Sequence, residues 1–119
     1  MAGFSDYLED KVLDHVFGGT AYTAPSTLYV GLYTAAPSDT GGGTEVTGGS
    51  YARKSMPAMT VSGTTQATNG AAVEFVTATG SWGTVTHCGV FDAASSGNLL
   101  GWAALTASKA VASGDVFRF

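Results

Sequence analysis

Positive charge is scarce in this sequence. Five Lys and Arg stand against nine Asp and Glu, for a formal net charge of −4. A nucleic-acid partner requires a row of cations to replace the counterions along a phosphate backbone. Nothing of that kind is present, so no nucleic-acid partner is expected. There is one cysteine, Cys88, which precludes an intrachain disulfide and any need for an oxidising compartment. It sits in an apolar stretch, where a small buried hydrophobe is the ordinary reading. No apolar run is long enough to cross a membrane as a helix. The opening MAGFSD has neither the basic nor the apolar region of a signal peptide. Folding in a cytoplasm, with no membrane partner, is the expectation.

What the chain does have is glycine and small polar residues. Hydrophobic residues make up 45% and charged residues only 12%, with 17 glycines. That is too apolar for disorder, and the length suits one domain spanning residues 1–119. Thr, Ser, Gly and Asn must supply most of the polar surface. Such a surface has few long side chains to immobilise, so contact with a neighbour costs little rotamer entropy. This favours an assembly subunit over a freely diffusing enzyme.

The chain is organised around residues 82–105, WGTVTHCGVFDAASSGNLLGWAAL. Two apolar runs flank an Ala-Ser-Ser-Gly-Asn cluster, the pattern of two strands and a turn. Ahead of it, residues 5–17 form the one clear helix. Ser5 or Asp6 caps its start, Asp6 and Glu9 crowd its first turn, and Gly18-Gly19 ends it. Leu8, Val12, Leu13, Val16 and Phe17 span about half its circumference, where one supporting surface needs only about 100°. The excess implies either contact on two sides, including a second subunit, or a wide core stripe. Residues 26–34 (STLYVGLYT) are a strand with both faces apolar or aromatic. Residues 35–50 are a long Gly/Thr loop carrying Glu45 and Val46, of a length that is either functional or simply flexible. Further strands are expected at 51–59, where Pro57 marks an edge or an end, at 71–78, and at 116–119. The apolar Phe-Arg-Phe finish implies missing residues or a paired terminus. One helix and about six short strands predict a mainly β fold: a small antiparallel β-sandwich or barrel-like domain with an N-terminal α-helix.

Candidates for chemistry are thin. His87 and Cys88 are adjacent on a strand and point to opposite faces, so they cannot pair with each other. His15 with Cys88 lacks an orienting third group, and a zinc site from His15, His87 and Cys88 lacks ligand spacing. Gly41-Gly42-Gly43 and Gly48-Gly49 have no following Lys-Ser/Thr and open no helix, so they are not phosphate loops. Asp39, Glu45, Asp92 and Asp115 form no calcium-binding run. Tyr29, Tyr33, Trp82 and Trp102 could form a carbohydrate platform, but core packing is the commoner fate of strand aromatics. No catalytic residue, cofactor or metal is expected.

Three stretches together resemble a family of small tailed-bacteriophage structural proteins, commonly labelled tail fibre proteins. They are HVFGGTAYTAPSTLYVGLYTAAP, TEVTGGSYARKSM and WGTVTHCGVFDAASSGNLLGWAALTASKAVASGDVFRF. The resemblance spans nearly the whole chain. It implies a virion component and offers no catalytic residues. The expected function is a non-enzymatic structural subunit that binds the assembled particle as a capsid decoration or tail-fibre-like component, folded in the host cytoplasm. A receptor- or glycan-binding tail tip is the alternative. The expected partners are further copies of the chain, by analogy as a trimer, and the major capsid or tail proteins. Leu8, Val12, Leu13, Val16 and Phe17 on the helix, then Glu45 and Val46 in the loop, are the candidate intersubunit contacts.

Overall fold

The computed structural model describes residues 3–56, 59–62, 66–68 and 71–118. In chain order the elements are β1 (Gly3–Phe4), α1 (Asp6–Leu13), β2 (Leu28–Ala35), β3 (Thr44–Glu45), β4 (Lys54–Met56), β5 (Thr60–Ser62), β6 (Gln66–Thr68), β7 (Gly83–Phe91) and β8 (Leu99–Val111). The expectations for Pro57 and Phe119 fall outside the described residues.

The hairpin at 82–105 is the centre of the sheet. β7 and β8 pair antiparallel, with Cys88 opposite Ala103 and Gly89 opposite Trp102. Residues 105–108 of β8 oppose the single residue Thr86, a wide bulge that bends the longer strand. β2 pairs with the other side of β7, from Tyr29 opposite Phe91 to Tyr33 opposite His87. β3 and β4 share the far edge of β2, and β1 caps part of β8. The result is an antiparallel sheet of order β1-β8-β7-β2-β3, open and not closed into a barrel. β5 and β6 form a separate small hairpin. The mainly antiparallel β fold with one N-terminal helix is as expected.

Strand alternation explains which side is core. Val30 and Leu32 of β2 face one way and are almost fully buried, as are Val85 and Val111 on the neighbouring strands. What covers them differs from expectation. Residues 71–78 are not a sheet strand. They run with residues 112–118 as an irregular second layer, tied by Phe75 N–H to Phe117 O at 2.8 Å and Ala78 N–H to Asp115 O at 2.9 Å. Val73, Phe75 and Ala78 point into the core, so burial is met without joining the sheet. Among its described residues the final segment likewise forms no strand but a bridge, Glu74 with Arg118. Among the described residues of the strand expected at 51–59, β4 forms at Lys54–Met56, while Tyr51 turns its ring into the core against Phe75 and Trp82.

A glycine in β2 lets the sheet pack this tightly. A Cβ at Gly31 would lie 2.8 Å from the Phe91 ring, 2.9 Å from Glu45 Oε2 and 3.3 Å from the Tyr51 hydroxyl. Gly31→Ala is therefore expected to destabilise by about 1–3 kcal/mol through overpacking. Urea unfolding measures this, and an unchanged midpoint would show that the aromatic side chains yield freely.

Candidate binding surfaces

Helix α1 stands on its N-terminus. Ser5 is buried, and its hydroxyl accepts the Leu8 N–H at 3.2 Å, capping the first turn. The Ser5 N–H donates to Leu100 O and the Asp6 N–H to Asp39 O, both at 2.8 Å. Beyond Leu13 the helix widens into a π turn, Asp14–Gly18, and Gly19 ends it in the left-handed region at φ 74°. His15 is spent on this end, its Nδ1 accepting the Tyr22 N–H at 3.1 Å.

So anchored, the helix buries none of its residues. Leu8 is half-buried, while Val12, Leu13 and Val16 are 43%, 57% and 61% exposed and Phe17 is 81% exposed. Among the described residues, Val12, Leu13, Val16 and Phe17 of the stripe do not enter the core. The helix therefore presents an exposed apolar face, an uncommon feature on a chain this size.

The loop 35–50 is more ordered than a flexible connection. Val46 is sealed in the core at 4% exposure, with its N–H donating to Leu32 O at 3.0 Å. It is corrected here as a surface contact: the β3–β2 pairing turns it inward. Glu45 is also engaged within the chain. Its carboxylate accepts Arg53 Nε at 2.8 Å, Arg53 Nη2 at 2.9 Å and the Tyr51 hydroxyl at 2.8 Å. Burial acts to raise the Glu45 carboxyl, but these hydrogen bonds and the adjacent guanidinium outweigh it and hold it below its ordinary value. Burial pushes the Tyr51 hydroxyl far above its ordinary range, and its bond to the Glu45 carboxylate adds to the rise.

Arg53 is the residue that sequence reasoning missed. An adjacent Arg and Lys in sequence ordinarily mark a solvated basic face. Instead the guanidinium lies 3.5 Å over the Phe91 ring and donates Nη1 to Ala93 O and Ser96 O at 3.1 and 2.7 Å. It fastens the β7–β8 turn to β3. The signal available was a lone Glu45 eight residues upstream in a loop otherwise without charge after Asp39.

A cleft of about 560 Å³ opens beside this clamp, floored by Tyr33 and Phe91 and rimmed by Asp6, Asp39 and Asn98. It does not present the four-ring platform. Tyr33 and Trp82 are 5% and 3% exposed, and the Trp102 indole N–H donates to Asp39 Oδ1 at 3.1 Å. The chemical candidates do not converge either. Among the described residues the one group of three metal-type ligands that gathers is Asp6, Glu9 and Asp39, all exposed, and it includes none of His15, His87 and Cys88. Asp92 is occupied capping the turn through the Asn98 N–H at 2.7 Å, and Asp115 accepts the Ala112 N–H at 2.9 Å. Burial pushes the Cys88 thiol up, away from a reactive thiolate.

Binding surfaces, and no assembled reactive group among these candidates, are what the fold displays. Compared with known families, residues 3–119 match the podophage GP4 fiber I protein gp80 family. The chain belongs to that family. No curated protein matches it. Membership places the molecule among phage fibre proteins, which are virion components, and accords with the resemblance carried by the helix, loop and hairpin stretches. Among the described residues no helix is long and apolar enough to cross a membrane.

Proposed function

We propose that this chain is a non-enzymatic structural subunit of the phage virion that acts by binding. It self-associates into a small symmetric homo-oligomer, with a trimer favoured by analogy, and seats on capsid or tail proteins as a decoration or fibre-like component. The observation that carries this is the exposed apolar stripe of α1 in a member of a fibre-protein family. Val12, Leu13, Val16 and Phe17 are the contact residues. Glu45 is set aside because the clamp with Arg53 already uses it. The mechanism is mass action: subunits that bind the assembled particle and not its separated parts stabilise the assembly by their binding free energy.

The test is the molar mass in solution. The parent chain is expected to scatter light as a multiple of 12.0 kDa, and Leu13→Asp with Phe17→Ser to fall to a single chain with unchanged circular dichroism. An unchanged multimer from the folded double variant would sink the helix as the contact. Antibody labelling of intact particles then locates the subunit on head or tail.

A further inference from the structure

The core-facing side of the sheet is roofed over only part of its width. The irregular layer covers Val30, Leu32, Val85 and Val111. Directly paired residues share a face, so Cys88, opposite Leu32, and Val90, opposite Val30, continue that same face toward β8 and β1. There, among the described residues, it is only partly covered: Cys88, Val90, Gly101 and Ala103 are half-buried and Phe4 is exposed. Phe4, Cys88, Val90, Gly101 and Ala103 line a hollow of about 290 Å³ that is almost wholly apolar. A second hollow of about 340 Å³ shares Cys88 and runs on past Leu105 to Lys109 and Arg118. Together they form a groove, apolar along its floor and cationic at one end. Neither Lys109 nor Arg118 forms an ion pair among the described residues.

Helix α1 has the opposite character. Its stripe of Val12, Leu13, Val16 and Phe17 is bare. Asp10 and Asp14, one turn apart, run along the border of that stripe beside Leu13 and Phe17. One chain thus carries an acid-edged apolar helix and a cation-ended apolar groove, and the exposed stripe of the one leaves its apolar residues available to the other. Two of the five Lys and Arg in the whole sequence stand at that groove.

We infer that α1 of a second copy lies in this groove. Leu13 and Phe17 rest against Phe4, Cys88 and Val90, and Asp10 and Asp14 reach toward Lys109 and Arg118. The contact joins two different patches, so every copy offers one helix and one groove. Repeated around an axis it closes a ring, unlike a helix packed against its own twin. This rests on the self-association proposed above and names its receiving surface.

Cys88 serves as the native reporter, since it lines both hollows and is the only cysteine. In Leu13→Cys, and separately in Val16→Cys, copper-phenanthroline oxidation at mildly alkaline pH is expected to join the introduced sulfur to Cys88 of another copy. Peptide mass spectrometry identifies the link. Lys109→Glu with Arg118→Glu is expected to weaken assembly by about tenfold, and adding Asp10→Lys with Asp14→Lys to restore it. A link only between two introduced sulfurs, or no link in a chain that still scatters as a multimer, overturns the groove while self-association stands. A parent chain that is monomeric at every concentration overturns both.

Discussion

Replacing Arg53 with Met is expected to cost about 3 kcal/mol of folding stability. Lost area is the smaller part of that cost, because Met keeps most of the apolar stem, although the guanidinium over Phe91 goes. The larger part is what remains behind. Glu45 loses two charge-assisted bonds of 2.8 and 2.9 Å and stays half-buried with only the Tyr51 hydroxyl as a partner. The carbonyls of Ala93 and Ser96 lose their shared donor, and the turn between β7 and β8 loses its tie to β3. Breaking a buried pair from one side costs about 3–5 kcal/mol. Here the Arg53 side chain is 9% exposed and that of Glu45 25%, so water recovers part of the loss and the low end applies. Arg53→Lys retains the charge but not the fork, and an intermediate loss is expected. Adding Glu45→Gln to Arg53→Met removes the stranded carboxylate and should restore part of the stability. Urea unfolding at neutral pH gives all three values, and a loss under about 1 kcal/mol for Arg53→Met would reduce the clamp to an ordinary surface pair.

The same clamp fixes how stability responds to pH. The folded-state pKa of Glu45 lies below its ordinary value of 4.5, so the folded state favours the ionised form. Its contribution is complete above pH 4.5 and drains away as the pH falls through the lower folded value. Tyr51 acts at the other end. Its hydroxyl is raised, so its contribution is complete below the ordinary value of 10.0 and falls as the pH climbs past it. The acid arm of the curve should flatten in Glu45→Gln.

Local signals were the legible ones. Ser5, Asp6 and Gly18-Gly19 marked the helix to within a few residues, since capping chemistry acts over one turn. The turn cluster after Phe91 marked the central hairpin, and strand alternation alone separated His87 from Cys88. What stayed hidden depends on distant partners. Residues 71–78 have the composition of a strand but meet residues 112–118, and nothing local distinguishes that from a sheet edge. Val46 sits among glycines and threonines, and only the β3–β2 pairing reveals that it turns inward. Arg53 carries only the faint mark of Glu45 eight residues upstream, because its carbonyl partners lie 40 and 43 residues away. The helix stripe was legible as an excess. Its exposure was not, since periodicity gives the width of an apolar face and says nothing about what covers it.

Trp82→Ala is expected to be more damaging still, lowering stability by about 3–5 kcal/mol. The ring is 3% exposed and sits at the junction of every layer. It meets Tyr51 edge-on at 5.3 Å and Phe75 at 6.3 Å, the arrangement aromatic quadrupoles prefer. Its indole N–H donates to Gly49 O at 2.9 Å, holding the long loop to the second layer. The same carbonyl accepts the Thr79 N–H at 3.0 Å, so losing the indole leaves it satisfied. The hydrogen bond is therefore the smaller part of the effect and the cavity the larger. Trp82→Phe separates the two. It keeps most of the ring contacts and loses the donor, and a cost of about 1 kcal/mol is expected. Domains of this size have only about 5–15 kcal/mol in all, so a loss of about 3–5 kcal/mol in the Ala variant removes a fifth or more of the margin. Self-association shifts the apparent stability with concentration, so both variants are compared by urea unfolding at one protein concentration. A Phe variant as damaged as the Ala variant would place the energy in the Gly49 tie instead of the core. The loop would then be what holds the second layer on the sheet, with the aromatic cluster following it.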